Sequence, residues 1–145
     1  MNRPLTEPEA RQYSPLPLAF LGDSVYEILV REAIVREGNT PVRKLHTAKI
    51  RLVCAAFQAQ AADLLEPSLT ENELAVYHRG RNAGGTPSKN ADPYDYRKAI
   101  GFEAVFGYLQ LMGQNERIDE LFGLVWNQRD RLLTTSGAGG SAPKE

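Results

Sequence analysis

Residues 16–30 read LPLAFLGDSVYEILV, and this stretch constrains the chain more than any other. As a helix it is apolar nearly all round, so it has to lie in a core with neighbours on several sides. Gly22, Asp23 and Ser24 interrupt it at its centre. Each of the three disfavours a helix interior, glycine by about 1 kcal/mol relative to alanine. Asp23 shares a helical face with Phe20, Glu27 and Val30, which predicts a carboxylate at least partly withdrawn from water. An ionised carboxylate in such a place is expensive unless it is paired, hydrogen-bonded or bound to a metal.

Residues 99–111, AIGFEAVFGYLQL, repeat the anomaly, with Glu103 as their single charge. Its neighbours at helical spacing are Ala99, Ile100, Phe106 and Gly107, and Gly101 and Gly107 allow another helix to come close. The two most apolar helices of the chain are expected to pack together and to bring Asp23 and Glu103 to one face of the bundle. Either acid alone would ordinarily be a partner for an arginine or a cap. Two of them, each beside small residues in a core-like helix, point to a shared metal. Carboxylate oxygens with retained waters suit Mg²⁺. Zinc spacing is absent, because Cys54 is alone and His46 and His78 are far apart in sequence; the histidines read as surface or hydrogen-bonded core residues. There is no Gly-x-Ser-x-Gly elbow and no Walker loop. Attack of a metal-activated water on a phosphodiester is the chemistry these residues support.

The remaining pattern is all-α. No stretch alternates and no hairpin signal appears. Pro17 opens a helix over 18–36 that Gly38 stops, and Thr40-Pro41 opens one over 42–66 that Pro67 ends. Thr70 and Glu73 form a capping box for a short helix through Arg79. Asp92-Pro93 starts a helix through Met112, closed by Gly113, and Asn115 caps a last one over 115–133. Five helices around one core is the expectation for 145 residues. Residues 1–14 are expected to be a flexible segment, 15–133 the folded domain, and the Gly/Ala/Ser-rich 134–145 a disordered tail. No run reaches the roughly 18 apolar residues of a membrane span. The N-terminal stretch through Tyr13 is too polar for a signal peptide. Cys54 cannot form an internal disulfide, and a buried inert thiol in a reducing cytoplasm is expected.

A formal net charge of −1 argues against a general polyanion binder, but the charges are segregated. Arg36, Arg43, Lys44, Lys49 and Arg51 face Glu37 alone, and the acids gather at 63–73 and 116–130. A glycine-rich basic loop spans 80–90. Arg79, Arg81, Asn82, Lys89 and Asn90 are its candidate phosphate and sugar contacts.

Phe20-Leu21-Gly22-Asp23-Ser24-Val25 resembles the signature helix of the ribonuclease III family, and Phe102-Glu103-Ala104 with Gly107 resembles its second acidic motif. Together with His78-Arg79-Gly80-Arg81-Asn82-Ala83, Lys89-Asn90-Ala91 and Tyr96-Arg97, they are similar to the Mini-ribonuclease III branch, a catalytic domain without a double-stranded-RNA-binding domain. The resemblance implies an all-α ribonuclease III endonuclease-domain bundle and a homodimer built around the signature helices. It also implies Mg²⁺-dependent cleavage of double-stranded RNA, with Mn²⁺ as a substitute, leaving 5′-phosphate and 3′-hydroxyl ends. Asp23 and Glu103 would take the metal-binding catalytic positions. The implied substrate is structured precursor RNA, typically in 23S ribosomal RNA maturation, with assistance from a ribosomal protein left open. Recognition would rest on A-form shape, phosphates and 2′-hydroxyls.

Two acids of full-length ribonuclease III enzymes are replaced here by Ala19 and Ile100, which favours one Mg²⁺ per protomer. Glu27, one turn beyond Asp23, reads as an interface or structural residue. A catalytically silent dimeric RNA-binding module is one alternative. A helical nucleotide pyrophosphohydrolase is the other, but its acid pairs would have to be Glu71/Glu73 and Asp119/Glu120, on segments that read as solvated.

Overall fold

The computed structural model describes residues 2–84 and 92–136, and over them every regular element is helical. The helices are α1 (Glu7–Ala10), α2 (Pro15–Glu37), α3 (Val42–Val53), α4 (Ala55–Leu65), α5 (Glu71–Arg81), α6 (Pro93–Leu111), α7 (Asn115–Asn127) and α8 (Arg129–Ser136), with a 3₁₀ turn at Glu66–Ser68. No helix among the described residues is long and apolar enough to cross a membrane.

The two apolar helices do pack on each other, α2 against α6, and glycine sets how close they come. A Cβ added at Gly22 would land on the backbone carbonyl oxygen of Glu103, and one at Gly107 on that of Leu18. A second close crossing joins α5 to α6, where a Cβ at Gly80 would meet Gly101 Cα at 2.6 Å. Larger side chains fill the space around these contacts. Tyr26 stands edge-on to Phe102 with ring centroids 4.9 Å apart, and Phe102 packs against Phe106 at 5.0 Å. Such aromatic pairs add about 1 kcal/mol each to the burial of their surface. The Tyr26 hydroxyl donates to Leu52 O at 2.7 Å and ties α2 to the end of α3.

The helix starts expected at Thr70 and Asp92 hold, whereas α2 begins at Pro15 rather than Pro17, and Pro41 and Gln114 stand at the N-caps of α3 and α7 in place of Thr40 and Asn115. Thr70 and Glu73 make both hydrogen bonds of the capping box on α5. Asp92 Oδ1 accepts from the backbone of Tyr94 and Asp95 at the start of α6. Gly113 leaves α6 with φ +67°.

Larger differences lie elsewhere. The helix expected over 42–66 is broken at Cys54, whose ψ of 159° sends α3 and α4 in different directions without a glycine or proline to mark the place. Cys54 is only half-buried, its Sγ 3.7 Å from Arg51 O. The last helix divides at Gln128 into α7 and α8, and α8 runs into the segment expected as tail; residues 137–145 lie outside the described residues. In place of a loose arm, residues 2–14 carry α1 with its own Thr6/Glu9 capping box. Leu5 N donates to Leu111 O at 2.8 Å, and the Tyr108 hydroxyl donates to Glu7 Oε2 at 2.8 Å, so this segment is fastened across the end of α6.

Candidate metal centre

The crossing of α2 and α6 places the two anomalous acids. Because Gly22 lies against the backbone of Glu103, the next residue, Asp23, is delivered to the same edge of the helix pair. The Asp23 carboxylate faces that of Glu103 closely enough to hydrogen-bond with it when Glu103 is protonated. Burial, and then the negative charge of Asp23, push Glu103 up to about 8, against the opposing pull of a hydrogen bond from Gln58. Two carboxyl groups held side by side, one of them half-buried and short of positive charge, make this a candidate functional site. Asp23 itself differs from expectation: it is exposed, because α2 does not carry neighbours all round. Phe20 is 84% exposed and Ile28 64%, and with Leu16 and Val35 they leave an apolar stripe uncovered along the helix.

Gln58 is the site residue that sequence reading passed over. It is 1% exposed within α4, and its Nε2 donates to Glu103 Oε2 at 3.2 Å and to Val53 O at 3.2 Å. The signal that singled out Asp23 and Glu103, a polar residue at a core position, is also present in AAFQAQAADLL, where Gln58 shares a face with Ala55, Ala61 and Ala62. Glu27 lies on the same helix as Asp23 and is bound on the helix surface by Arg31 at 2.7 Å, with Lys49 3.7 Å away. Its charge is thereby balanced. Among the described residues no group of three or more His, Cys, Asp or Glu side chains converges.

The candidate RNA contacts divide. Arg79 points its guanidinium at the N-terminal segment, donating to Arg11 O at 3.1 Å and to Tyr13 O at 2.7 Å. Arg81 lies over the Tyr77 ring at 5.6 Å, half-buried at the end of α5, and Asn82 follows it as an exposed C-cap. Lys89 and Asn90 lie outside the described residues. Of the acids weighed for a nucleotide hydrolase, Glu73 proves not to be solvated: it is 4% exposed and clamped by Arg117.

This geometry has relatives. Residues 16–114 match the Ribonuclease III domain family. Mini-ribonuclease 3 of Clostridium tetani (strain Massachusetts / E88) is 41% identical over 139 residues, covering 94% of this chain and 92% of the relative. Mini-ribonuclease 3 of Symbiobacterium thermophilum is 47% identical over 122 residues, covering 83% and 89%. A crystal structure of a protein from Fusobacterium nucleatum superposes with a TM-score of 0.73 at 27% identity, over 79% of this chain and 94% of that one. The chain, with its two carboxylates at the glycine crossing of α2 and α6, belongs to the ribonuclease III family, on its Mini-ribonuclease 3 branch, and is an endoribonuclease.

Proposed function

We propose that this endoribonuclease cuts double-stranded RNA as a homodimer, with Asp23 and Glu103 of each protomer holding one Mg²⁺. The observation that carries the reading is the pair of facing carboxylates at the Gly22–Gly107 crossing. When bound, the cation would act as a Lewis acid on a phosphoryl oxygen and lower the pKa of a coordinated water, and Mn²⁺ would serve in its place. The chain's own part is to hold the two carboxyl groups side by side. Asp23 is fixed by the backbone contact beside it and Glu103 by Gln58. Their separation from Glu27, already matched by Arg31 and Lys49, leaves two protein charges for the cation.

Arg81 and Asn82 would meet phosphate and sugar, with Lys89 and Asn90 completing the contact. Arg79 would support that loop by anchoring its base to residues 11 and 13 rather than by touching RNA. The uncovered apolar stripe of α2 supports pairing with a second copy, since Phe20 and Ile28 project where a soluble monomer would carry polar side chains. A groove of about 550 Å³ beside it, lined by Val25, Ile28, Leu29 and Ile118, would receive the partner. The natural substrate would be a structured precursor such as that of 23S ribosomal RNA in the cytoplasm, with or without a ribosomal protein.

The test is a long labelled RNA duplex incubated with the protein, with and without Mg²⁺, beside Asp23→Asn. Fragmentation that needs Mg²⁺, spares single strands and disappears in the variant supports the reading. Duplex binding with no cutting would instead favour the silent RNA-binding module. Sedimentation giving only monomers at micromolar concentration would remove the paired arrangement.

A further inference from the structure

The geometry points to Gln58 as a positioning residue for the metal carboxylate: its side-chain amide holds Glu103 Oε2 so that the other oxygen stays free to take the cation. The inference rests on the reading of Asp23 and Glu103 as the metal pair. Three observations carry it. First, the Gln58 nitrogen is pinned between two acceptors, Val53 O and Glu103 Oε2, each at 3.2 Å. Reversing the amide would set its oxygen against both, so the orientation is dictated by its neighbours. Second, Gln58 Oε1 is buried and has no hydrogen-bond partner among the described residues. A buried acceptor without a partner is a cost that a leucine or methionine of similar size would avoid, and packing in α4 therefore does not account for a glutamine here. Third, the anchor is the break at Cys54. Because α3 ends there, Val53 O is released to the Gln58 side chain, and the amide is braced from the backbone on one side while it reaches Glu103 on the other.

The physical consequence is restriction of one torsion. The terminal torsion of a glutamate is broad, so an unheld carboxylate beside Asp23 would swing away from it and lose the paired arrangement. A neutral amide donor fixes the plane without neutralising the charge, whereas an arginine in this place would compete with the cation for it. Partners of this kind are typically worth about 10–100-fold in metal affinity.

The experiment is Mn²⁺ binding to the full chain without RNA, followed by electron paramagnetic resonance, for the wild type, Gln58→Leu, Gln58→Met and Glu103→Gln. Thermal melting and duplex affinity in Ca²⁺ are measured beside it. The expected result is Mn²⁺ affinity about 10–100-fold weaker in Gln58→Leu and Gln58→Met, with duplex affinity unchanged. The Mg²⁺ concentration for half-maximal cleavage should rise by the same factor, and the rate should recover at saturating Mg²⁺. A purely structural role would lower the melting temperature and leave the metal affinity alone. Should Gln58→Leu fail to fold, Gln58→Met decides, because its flexible side chain fills the same volume. Wild-type Mn²⁺ affinity in the Gln58 variants with affinity lost in Glu103→Gln overturns the positioning role alone. Wild-type affinity in Glu103→Gln as well overturns the metal pair, and this inference with it.

Discussion

Glu73 and Glu103 are both withdrawn from water on helices of one small bundle, and their surroundings are opposite. Glu73 is met by the fork of Arg117, with Nε to Oε2 at 2.9 Å and Nη2 to Oε1 at 2.8 Å, and Oε1 also accepts from Thr70 N at 2.9 Å. Burial alone would push its carboxyl up, but the guanidinium and the backbone donor outweigh this and hold it below the usual carboxylate value. Glu103 has one neutral donor, Gln58, and faces another carboxylate. The first arrangement closes on itself and fastens α5 to α7. The second is left short of positive charge by the protein that built it. On the proposed reading that shortfall is where a cation would sit, so burial by itself does not separate a structural acid from a functional one; the partner does.

The comparison can be broken by exchanging the roles. Glu103→Gln should lower duplex cleavage by about 10³-fold or more, as expected for loss of one of two metal carboxylates. Arg117→Ala should lower stability by about 3 kcal/mol, roughly 10 °C in melting temperature, because it strands Glu73 in the interior. A loss below about 0.5 kcal/mol would mean that Glu73 finds water in the variant, and the contrast would fail.

Acid and base should also separate the two. Glu103 keeps its proton in the folded chain up to about 8, while the unfolded chain releases it near 4.5. Its folded pKa is raised, so metal-free stability falls as pH climbs through that window. Glu103→Gln should therefore stabilise the metal-free protein by up to about 5 kcal/mol above pH 8, with the difference closing towards pH 4.5. Glu73 has the opposite sign: its folded pKa is lowered, so its contribution is present above the ordinary carboxylate value and is lost on acidification. Urea denaturation in EDTA across pH reads both. A Glu103→Gln difference independent of pH would contradict the burial of Glu103.

The smallest effects lie among the arginines, where the same distinction recurs. Arg79 is satisfied by Arg11 O and Tyr13 O, whereas Arg81 stacks on Tyr77. Arg81→Ala should reduce the slope of log duplex affinity against log salt by about 1. Arg79→Ala should leave the slope and cost about 1 kcal/mol of stability. Equal slopes in the two variants would place both or neither against phosphate.

Much of this was legible in the residues. Core helices announce themselves by composition, the Thr70/Glu73 and Asp92 caps by chemistry, and the meeting of Asp23 with Glu103 by the small residues beside them. What was not legible has physical reasons. Apolarity cannot distinguish a core face from an uncovered one, so Phe20 was expected inside and stands outside. The four residues of α1 are too short to signal a helix on their own, and their anchors, Tyr108 and Leu111, are about a hundred positions away. The break at Cys54 carries no breaker residue; what accompanies it is the Gln58 amide on Val53 O, five residues back along the chain, a side-chain bond that neither helical periodicity nor a breaker residue signals.

The most direct test sets the two glutamates side by side: Mg²⁺-dependent duplex cleavage by Glu103→Gln and by Glu73→Gln, at a temperature where melting curves show both folded. The account predicts that Glu103→Gln is inactive and that Glu73→Gln cuts within about threefold of the wild-type rate, since its loss is one of stability. Cleavage by folded Glu103→Gln at the wild-type rate would contradict the assignment of the metal pair.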